Sequence, residues 1–311
     1  MHREQSREMC PTPSPAPQAP QNLRHLTPGQ HEAFWRDGYV LVENALSTPE
    51  LDALRATFAA WVAESCHHRQ PWGEILDGRP RFDLEPGHSA ERPALRRVNS
   101  PTEISPAYEA VMATSRIPAM VADLIGPDVK FHHSKINSKL PGSATQVKWH
   151  QDFPFTPHSN DDLVTALIFV DEVTPENGPL EVLPGSHRGP LYDLWHDGRF
   201  TGAVARDDEA GMLARSRQCV GPAGAVCFMH TRLLHGSAPN LSAQPRTLFI
   251  CVYSAEDAVP LSPNPLPSRH EGRIVHGTRS GRVRCVTNEL RLPQLPTTAS
   301  FFGQQAASYD G

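Results

Sequence analysis

A succession of short apolar segments, each bounded by proline or glycine, runs from residue 129 to residue 253. The segments cover residues 129–140, 147–152, 164–170, 180–183, 225–229 and 247–253. Short strands at this spacing are typical of closed antiparallel double sheets. We therefore predict a fold that is mainly β with flanking helices, whose core is a double-stranded β-helix, the cupin-like jelly roll.

The residues before these strands predict an accessory layer. Residues 1–24 are rich in proline, glutamine and serine, which form few helices and bury little surface, so we expect a disordered leader. Residues 25–130 are expected to pad the core with helices and a strand, because Thr27 and Ser47 each begin a capping box. The stretch 70–94 is polar and turn-rich, and predicts an ordered but irregular excursion.

The rest of the chain divides into a core, an insertion and a tail. We place the jelly-roll core at residues 131–258 and expect an insertion at 190–218 to cover its mouth as a lid. Residues 259–311 form a C-terminal extension that is expected to add a strand or a dimer contact. The sequence leaves both a monomer and a homodimer open.

The charge and composition exclude several classes of partner. The net charge is −5, so the chain has no basic footprint for nucleic acid or an anionic membrane. It contains no run of 18 or more apolar residues and no apolar secretory signal. Its six cysteines are scattered without a Cys-x-x-Cys pair, which suits a reducing compartment. The sequence therefore predicts a cytoplasmic protein that binds neither nucleic acid nor a membrane.

Two histidine motifs supply the residues for a metal site. His150 and Asp152 lie two apart in a predicted strand, where alternation puts both on one face. About one such motif is expected by chance among 16 histidines, so the weight comes from His235-Gly236-Ser237 downstream and from Arg246, 246 − 235 = 11 positions later. Two imidazoles and a carboxylate form the facial triad of iron(II) oxygenases, whereas structural zinc would want a fourth ligand.

Together with the segment from Asn177-Gly178 to Pro184-Gly185-Ser186-His187, these motifs resemble the phytanoyl-CoA dioxygenase family, which includes the ectoine hydroxylases. The resemblance covers residues 96 to 253, roughly half the chain. It implies an Fe(II)- and 2-oxoglutarate-dependent oxygenase whose iron is bound by His150, Asp152 and His235. It also implies that O2 is consumed, that succinate and CO2 are released, and that ascorbate is a candidate stimulant.

The resemblance also provides four candidates to bind 2-oxoglutarate. Arg246 suits the far carboxylate because a guanidinium forks onto two oxygens, and Ser237, two residues past His235, adds a hydroxyl donor. Asn137 follows by analogy with the ectoine hydroxylases. Arg97 is the best match to a basic residue that precedes a valine in the family, although a solvated surface arginine explains it equally well.

The presence of Asp152 favours hydroxylation over halogenation, because iron halogenases of the family have a small residue in its place. Desaturation, epoxidation and ring closure stay open, and no further catalytic residue is needed. Two other classes also stay open. A non-catalytic, cupin-like metal-binding jelly roll would have no use for the carboxylate clamp at Arg246. A zinc hydrolase with the same three ligands would need a general base, for which no candidate is visible.

The primary substrate is expected to be a small molecule. Trp149, Phe153 and Phe155 surround the first metal motif, and Arg232 lies close to His235 in the sequence. This mixture of aromatic and arginine side chains predicts an anionic or amino-acid-like metabolite. Nothing in the sequence resembles a coenzyme A site.

Overall fold

Helices cover the outside of the β structure in the part of the chain that the structure describes, residues 23–142, 145–205 and 211–286. In this computed structural model they are α1 (Pro28–Asp37), α2 (Thr48–Ser65), α3 (Pro106–Ala113) and α4 (Ile117–Ile125). Thr27 and Ser47 form the expected capping boxes, and Gly38 ends α1 with φ 85°, which glycine adopts without strain. None of these described helices has the length and apolar character needed to cross a membrane.

The described strands form two sheets and a small hairpin. In chain order they are β1 (Tyr39–Val42), β2 (Trp72–Leu76), β3 (Arg79–Leu84), β4 (Leu95–Asn99), β5 (Val129–Lys139), β6 (Val147–His150), β7 (Leu163–Phe169), β8 (Leu180–Val182), β9 (Trp195–His196), β10 (Arg199–Phe200), β11 (Arg217–Cys219), β12 (Val226–His230), β13 (His235–Ser237), β14 (Arg246–Ala255) and β15 (Ile274–His276).

The larger sheet has the order β1-β12-β7-β14-β5-β4-β3-β2, with β15 also paired to β5. The smaller sheet has the order β11-β8-β13-β6, and β9 pairs with β10. All these pairings are antiparallel. Strands that are distant in the sequence are therefore neighbours in each sheet, as in a jelly roll.

Both faces of the larger sheet are covered, so β14 is buried at all ten of its positions. On the outer face, Phe249 meets Tyr108 of α3 with ring centroids 4.7 Å apart. On the inner face, Leu248 and Ile250 belong to one apolar cluster with Val182 of the smaller sheet. Burial of each such side chain stabilises the fold by roughly 1.5–3 kcal/mol. This packing of two sheets face to face is the predicted jelly roll.

The apolar segments locate the core strands to within a few residues, with one difference beside the metal motif. We expected a strand through Asp152, but β6 ends at His150. Asp152 has helical backbone angles, φ −72° and ψ −33°, and precedes a short 3-10 helix at Phe153–Phe155. Pro154 lacks the N–H that a continued ladder would need. A turn, and not strand alternation, therefore brings Asp152 towards His150.

The expectation of an irregular excursion at 70–94 is wrong, because this stretch contains the antiparallel pair β2 and β3. Asp77 and Gly78 connect the two strands with φ values of 53° and 76°. Asp-Gly with two positive φ angles is the preferred two-residue hairpin connection. Arg81 holds the hairpin in place, because its buried guanidinium pairs with Glu103 at 2.8 Å and donates to the Ser100 carbonyl at 2.8 Å.

The accessory segments are described in part. Strands β1 to β4 come from the region expected to pad the core, and they extend the larger sheet. Within the predicted insertion, Leu194 and Phe200 pack with Trp149. In the C-terminal extension, β15 supplies a strand. Residues 1–22, 206–210 and 287–311 lie outside the described residues, and with them most of the predicted leader and the end of the extension.

Candidate active site

His150, Asp152 and His235 come together between the two sheets, with one ligand atom from each lying within 4.8 Å of the others. His150 ends β6 and His235 begins β13, and the two residues are directly paired in the smaller sheet. The Oδ1 atom of Asp152 lies 3.5 Å from Nε2 of His150 and 3.6 Å from Nε2 of His235. We call these three residues the triad.

Hydrogen bonds orient the triad towards a common point. Nδ1 of His150 lies 2.8 Å from the Lys148 carbonyl, and Nδ1 of His235 lies 2.9 Å from the Leu233 carbonyl. A carbonyl only accepts, so each Nδ1 carries the proton and each Nε2 keeps a lone pair. The hydroxyl of Thr165 donates to Oδ2 of Asp152 at 2.8 Å, which leaves Oδ1 facing the imidazoles. This donor set fits a divalent first-row metal.

The charges in the triad also suit a metal. Burial and, to a smaller extent, the neighbouring His150 lower the pKa of His235 to about 4. The imidazole of His235 is therefore neutral at pH 7. Burial alone would raise the pKa of Asp152, but the neighbouring His235, His150 and Lys135 together hold it well below its ordinary value. A neutral imidazole and an ionised carboxylate are the forms that bind a metal ion.

A cavity of about 670 Å³ lies on one side of the triad. We call it the larger cavity. Inward-facing residues of two paired strands line it in order, Arg246, Leu248 and Ile250 on β14 and Lys139, Asn137 and Lys135 on β5. Ser237 of β13 also lines it. The structure therefore brings three of the four predicted 2-oxoglutarate residues, Arg246, Ser237 and Asn137, to one cavity beside the triad.

Arg246 is held at one end of the larger cavity. Its Nη2 donates to the Gly178 carbonyl at 2.6 Å, while its buried Nε has no partner among the described residues. Burial lowers its pKa to about 10, so it stays charged at pH 7. Gly178 has φ 76°, and a Cβ there would lie 2.6 Å from the Ala238 carbonyl oxygen. Glycine is therefore required for the turn that holds Arg246.

Lys139 is a component of this cavity that the sequence reasoning missed. It lies opposite Arg246 in the sheet, and its Nζ donates to the Ser237 hydroxyl at 2.7 Å and to the Ala238 carbonyl. Burial lowers its pKa to about 6, with a further contribution from Arg246. The alternation of Lys135, Asn137 and Lys139 on one strand was the available signal, since it puts all three on one face.

A second cavity, of about 570 Å³, also borders the triad, at His150 and Asp152. We call it the smaller cavity. His150 and Asp152 line both cavities, and so does Lys135. The smaller cavity also contains Arg79 and Arg97, together with an apolar wall formed by Phe155, Val252, Pro265 and Leu266.

Arg97 is thus separated from the other predicted 2-oxoglutarate residues. It lines the smaller cavity and not the larger one. The alternative of a solvated surface arginine is wrong, because Arg97 is only 3% exposed. Its Nε donates to Oδ1 of Asn99 at 2.8 Å, while its buried Nη1 has no partner among the described residues.

Several residues expected near the substrate lie elsewhere. Arg232 is paired with Asp161 at 3.0 Å and donates to the Gly189 carbonyl at 2.8 Å. Its positive charge is therefore neutralised by a carboxylate of the protein. Phe153 is fully buried in the main core. Trp149 packs under the insertion. Of the three aromatic residues that we expected, Phe155 lines the smaller cavity.

Comparison with known families and proteins gives one family match over most of this structure. The family model described as phytanoyl-CoA dioxygenase (PhyH) matches residues 34–248. The chain belongs to the phytanoyl-CoA dioxygenase family. The match spans the triad and Arg246, and confirms the resemblance that the motifs suggested.

Two of the relatives of this chain are more than 30% identical to it in sequence. The "Probable alpha-ketoglutarate-dependent hypophosphite dioxygenase" of Stutzerimonas stutzeri is 36% identical over 223 residues, 70% of this chain and 78% of the relative. The L-proline trans-4-hydroxylase of Streptomyces griseoviridis is 32% identical over 254 residues, 74% of this chain and 87% of the relative.

EctD from S. alaskensis has a similar solved fold. Its structure with bound Fe has a TM-score of 0.69 at 22% identity and covers 88% of this chain and 95% of EctD. Its structure with 2-oxoglutarate and 5-hydroxyectoine has a TM-score of 0.66 at 23% identity and covers 91% and 96%. This likeness confirms the jelly-roll fold.

This member of the phytanoyl-CoA dioxygenase family is an Fe(II)- and 2-oxoglutarate-dependent dioxygenase that acts on a small molecule. The conclusion combines the family match, the two relatives named as dioxygenase or hydroxylase, and the His-Asp-His triad. The non-catalytic cupin-like alternative and the zinc hydrolase have no such support.

Proposed function

We propose that His150, Asp152 and His235 bind iron(II), that 2-oxoglutarate occupies the larger cavity, and that the substrate to be hydroxylated enters the smaller one. The bound iron would supply oxygen activation coupled to oxidation of 2-oxoglutarate to succinate and CO2. The residues of the chain have three tasks: they hold the metal, orient the co-substrate, and place the substrate on the remaining side of the triad.

One observation carries the assignment of 2-oxoglutarate. Arg246 presents a buried, unpartnered Nε within the cavity that reaches the triad. A buried cationic donor without an acceptor is costly unless a ligand supplies one. The far carboxylate of 2-oxoglutarate provides two acceptor oxygens, which match the guanidinium fork. Ser237 and Asn137 line the same cavity and are proposed to complete the contact by donating from the hydroxyl of Ser237 and the side-chain NH2 of Asn137.

We propose a small anion or an amino-acid-like metabolite as the primary substrate. Relatives of the chain are named for hypophosphite, L-proline and ectoine, all small molecules. The basic residues of the smaller cavity support a substrate with negative charge. For this reason we propose Arg97 as a substrate residue, although the sequence analysis placed it with 2-oxoglutarate.

Succinate formation from 2-oxoglutarate tests the reaction. Protein purified without oxygen would be given iron(II), ascorbate and O2, with hypophosphite, L-proline or ectoine added in turn. We expect slow turnover without substrate and faster turnover with the correct one. Asp152→Ala should abolish it and Arg246→Met should slow it at low 2-oxoglutarate concentration, whereas Arg217→Gln should do neither, because Arg217 is exposed on β11 and lines neither cavity. Absence of both turnover and 2-oxoglutarate-dependent visible absorbance in the iron-loaded protein would reject the proposal.

A further inference from the structure

Three neighbouring strands of the larger sheet each contribute a basic side chain to the smaller cavity. Arg79 lies on β3, Arg97 on β4 and Lys135 on β5. Arg97 pairs with Asn137 of β5 and with Asp83 of β3. Lys135 is therefore offset by 137 − 135 = 2 residues and Arg79 by 83 − 79 = 4 residues, so the three cations are staggered across three neighbouring strands. Their position is fixed by backbone pairing and not by flexible loops.

Two of these side chains are almost fully buried, and each has a nitrogen without a hydrogen-bond partner in the described part of the chain. Arg79 and Arg97 are each 3% exposed. Arg79 donates from Nη2 to the Pro265 carbonyl, but its buried Nε has no partner in the described part of the chain. Arg97 likewise has an unpartnered buried Nη1. Buried arginines normally have their donors satisfied, so these atoms indicate a missing acceptor.

The protein itself supplies little negative charge to this cavity. Asp152 is the one carboxylate among the described residues that line it, and Asp152 belongs to the triad. Asp83 lies opposite Arg97 in the sheet, but its Oδ2 accepts from Arg96 at 2.7 Å. Asp77 lies 4.0 Å from Arg79 and sits in the hairpin turn. The cations of the smaller cavity therefore outnumber its anions.

The nearness of the cations to one another also lowers the pKa values of Arg97 and Lys135. Burial is the main reason why the pKa of Arg97 is lowered to about 10; Asp83 opposes the lowering, and Arg79 and Arg96 add to it. Burial and, to a smaller extent, the neighbouring Arg97 lower the pKa of Lys135 to about 8. A bound anion would relieve both the desolvation and the mutual repulsion.

We propose that Arg79, Arg97 and Lys135 form a receptor for a compact oxyanion, and that this anion is the primary substrate. The inference rests on the proposed function, since it assumes that the smaller cavity is the substrate side of the triad. It narrows the substrate class by excluding zwitterions such as free amino acids. An ammonium group would face three cations, and Asp152, the one carboxylate among the described residues that line the cavity, is proposed to bind the metal.

The lining of the cavity is partly apolar. Besides the cations it contains Phe155, Val252, Pro265 and Leu266. Guanidinium groups bind phosphorus oxyanions and carboxylates alike through two parallel hydrogen bonds. Because His150 and Asp152 line the same cavity, an anion held by the receptor presents its remaining side to the metal.

The proposed reaction balances without another reagent. A substrate X–H, 2-oxoglutarate and O2 give X–OH, succinate and CO2. The X–H bond breaks and an X–O bond forms, one oxygen atom enters X–OH, and the other enters succinate. The substrate loses two electrons, 2-oxoglutarate loses two by decarboxylation, and O2 accepts all four. The hydrogen removed from X ends on the new hydroxyl oxygen.

Calorimetric binding to the iron(II)- and 2-oxoglutarate-loaded protein, without oxygen, tests the receptor. The probes are hypophosphite, methylphosphonate, acetate and L-proline. We expect an oxyanion to bind and L-proline not to bind. Arg97→Met and Lys135→Met should each weaken oxyanion binding by about tenfold or more, whereas the surface variant Arg217→Gln should not change it. Tighter binding of the phosphorus probes or of acetate identifies the oxyanion type.

Charge-retaining variants keep the test decisive if a methionine variant fails to fold. Arg97→Lys and Lys135→Arg should retain part of the affinity. Equal oxyanion affinity in wild type and both methionine variants would overturn the receptor, and so would preferential binding of L-proline. Succinate formation without added substrate is measured in parallel. If the wild-type protein forms succinate but binds no oxyanion, the receptor alone is refuted. If the wild-type protein forms no succinate, the proposed function is refuted.

Discussion

The larger and smaller cavities share His150, Asp152 and Lys135, but they differ in how many buried donor atoms of their cationic side chains lack a partner in the described chain. In the larger cavity, Lys139 donates to the Ser237 hydroxyl, and Arg246 donates to the Gly178 carbonyl. In the smaller cavity, Arg79 and Arg97 each leave one buried nitrogen without a partner in the described chain, whereas in the larger cavity Arg246 does so at its Nε.

The origin of the strands explains this difference. The larger cavity is built from β14, β5 and β13, which belong to the two facing sheets of the jelly roll. The smaller cavity depends on β3 and β4, which extend one sheet beyond β5. The position proposed for the co-substrate thus follows from the core fold, whereas the position proposed for the substrate follows from added strands.

Removal of Asp152, a triad residue that lines both cavities, should have the largest effect. Asp152→Ala deletes the carboxylate that faces both imidazoles, so iron binding and turnover should each fall by more than about a hundredfold, the upper range for loss of a group that only supports a ligand. Metal analysis and succinate formation measure the two effects. Retained iron with normal turnover in Asp152→Ala would show that the triad is not the metal site.

A crossed comparison of two arginines separates the cavities. Arg246→Met should raise the KM for 2-oxoglutarate by about 10–100-fold, the effect of losing a charge-assisted hydrogen bond. Arg97→Met should change that KM by less than about threefold from the wild-type value, because Arg97 lines the smaller cavity and not the larger one. Steady-state succinate formation over a range of 2-oxoglutarate concentrations measures both. An equal rise in the two variants would mean that one ligand contacts both arginines.

Protonation of Lys139 should accompany 2-oxoglutarate binding. In the ligand-free protein burial lowers its pKa to about 6 from an ordinary 10.5, so Lys139 is neutral at pH 8. A nearby carboxylate raises a lysine pKa. Binding at pH 8 should therefore take up as much as about one proton, and uptake should vanish as the pH falls below about 6.

Calorimetry in two buffers of different ionisation enthalpy measures this uptake, which Lys139→Met should abolish. Arg217→Gln, which changes a surface cation, serves as the control. Proton uptake that persists unchanged in Lys139→Met would assign it to another group. The same depressed pKa means that Lys139 binds a proton in the unfolded chain but not in the ligand-free fold between pH 6 and 10. Its contribution to stability should rise with pH across that window.

The smallest effect is expected at the hairpin turn that precedes Arg79. Gly78→Ala places a Cβ at φ 76°, which should lower the free energy of unfolding by about 1 kcal/mol. Denaturant unfolding measures the loss, and Gly29→Ala, within α1 and free of positive φ, should show none. Oxyanion affinity should fall more than 2-oxoglutarate affinity in Gly78→Ala. The reverse order would separate the hairpin from the smaller cavity.

Local patterns in the sequence predicted much of the core. Capping residues, apolar periodicity and turn residues gave the helices and the strands β5, β7, β12 and β14, because each signal lies within a few residues of the structure it specifies. The triad was predicted for a similar reason, since the ligand types and their spacing define the chemistry. Asp152 lies beside both histidines as the motifs predicted, although its predicted strand conformation was wrong.

Residues that depend on distant strand pairing were harder to predict. Lys139 faces Arg246 only because β5 pairs with β14, more than a hundred residues later. Arg79 was missed because Asp77-Gly78 was interpreted as an irregular turn and not as a hairpin. Arg97 was found, but local sequence does not specify which of two adjoining cavities it enters. Register across the sheet is set by tertiary packing.

The position of the β2–β3 hairpin has a consequence for how such enzymes diversify. The hairpin ends the larger sheet, two strands away from β5, while both histidines of the triad lie in the other sheet. Changes in its length or charge need not disturb the strand pairing around the metal. Selection, or a protein engineer, could therefore exchange this hairpin to change what is oxidised while the oxidising machinery is inherited intact.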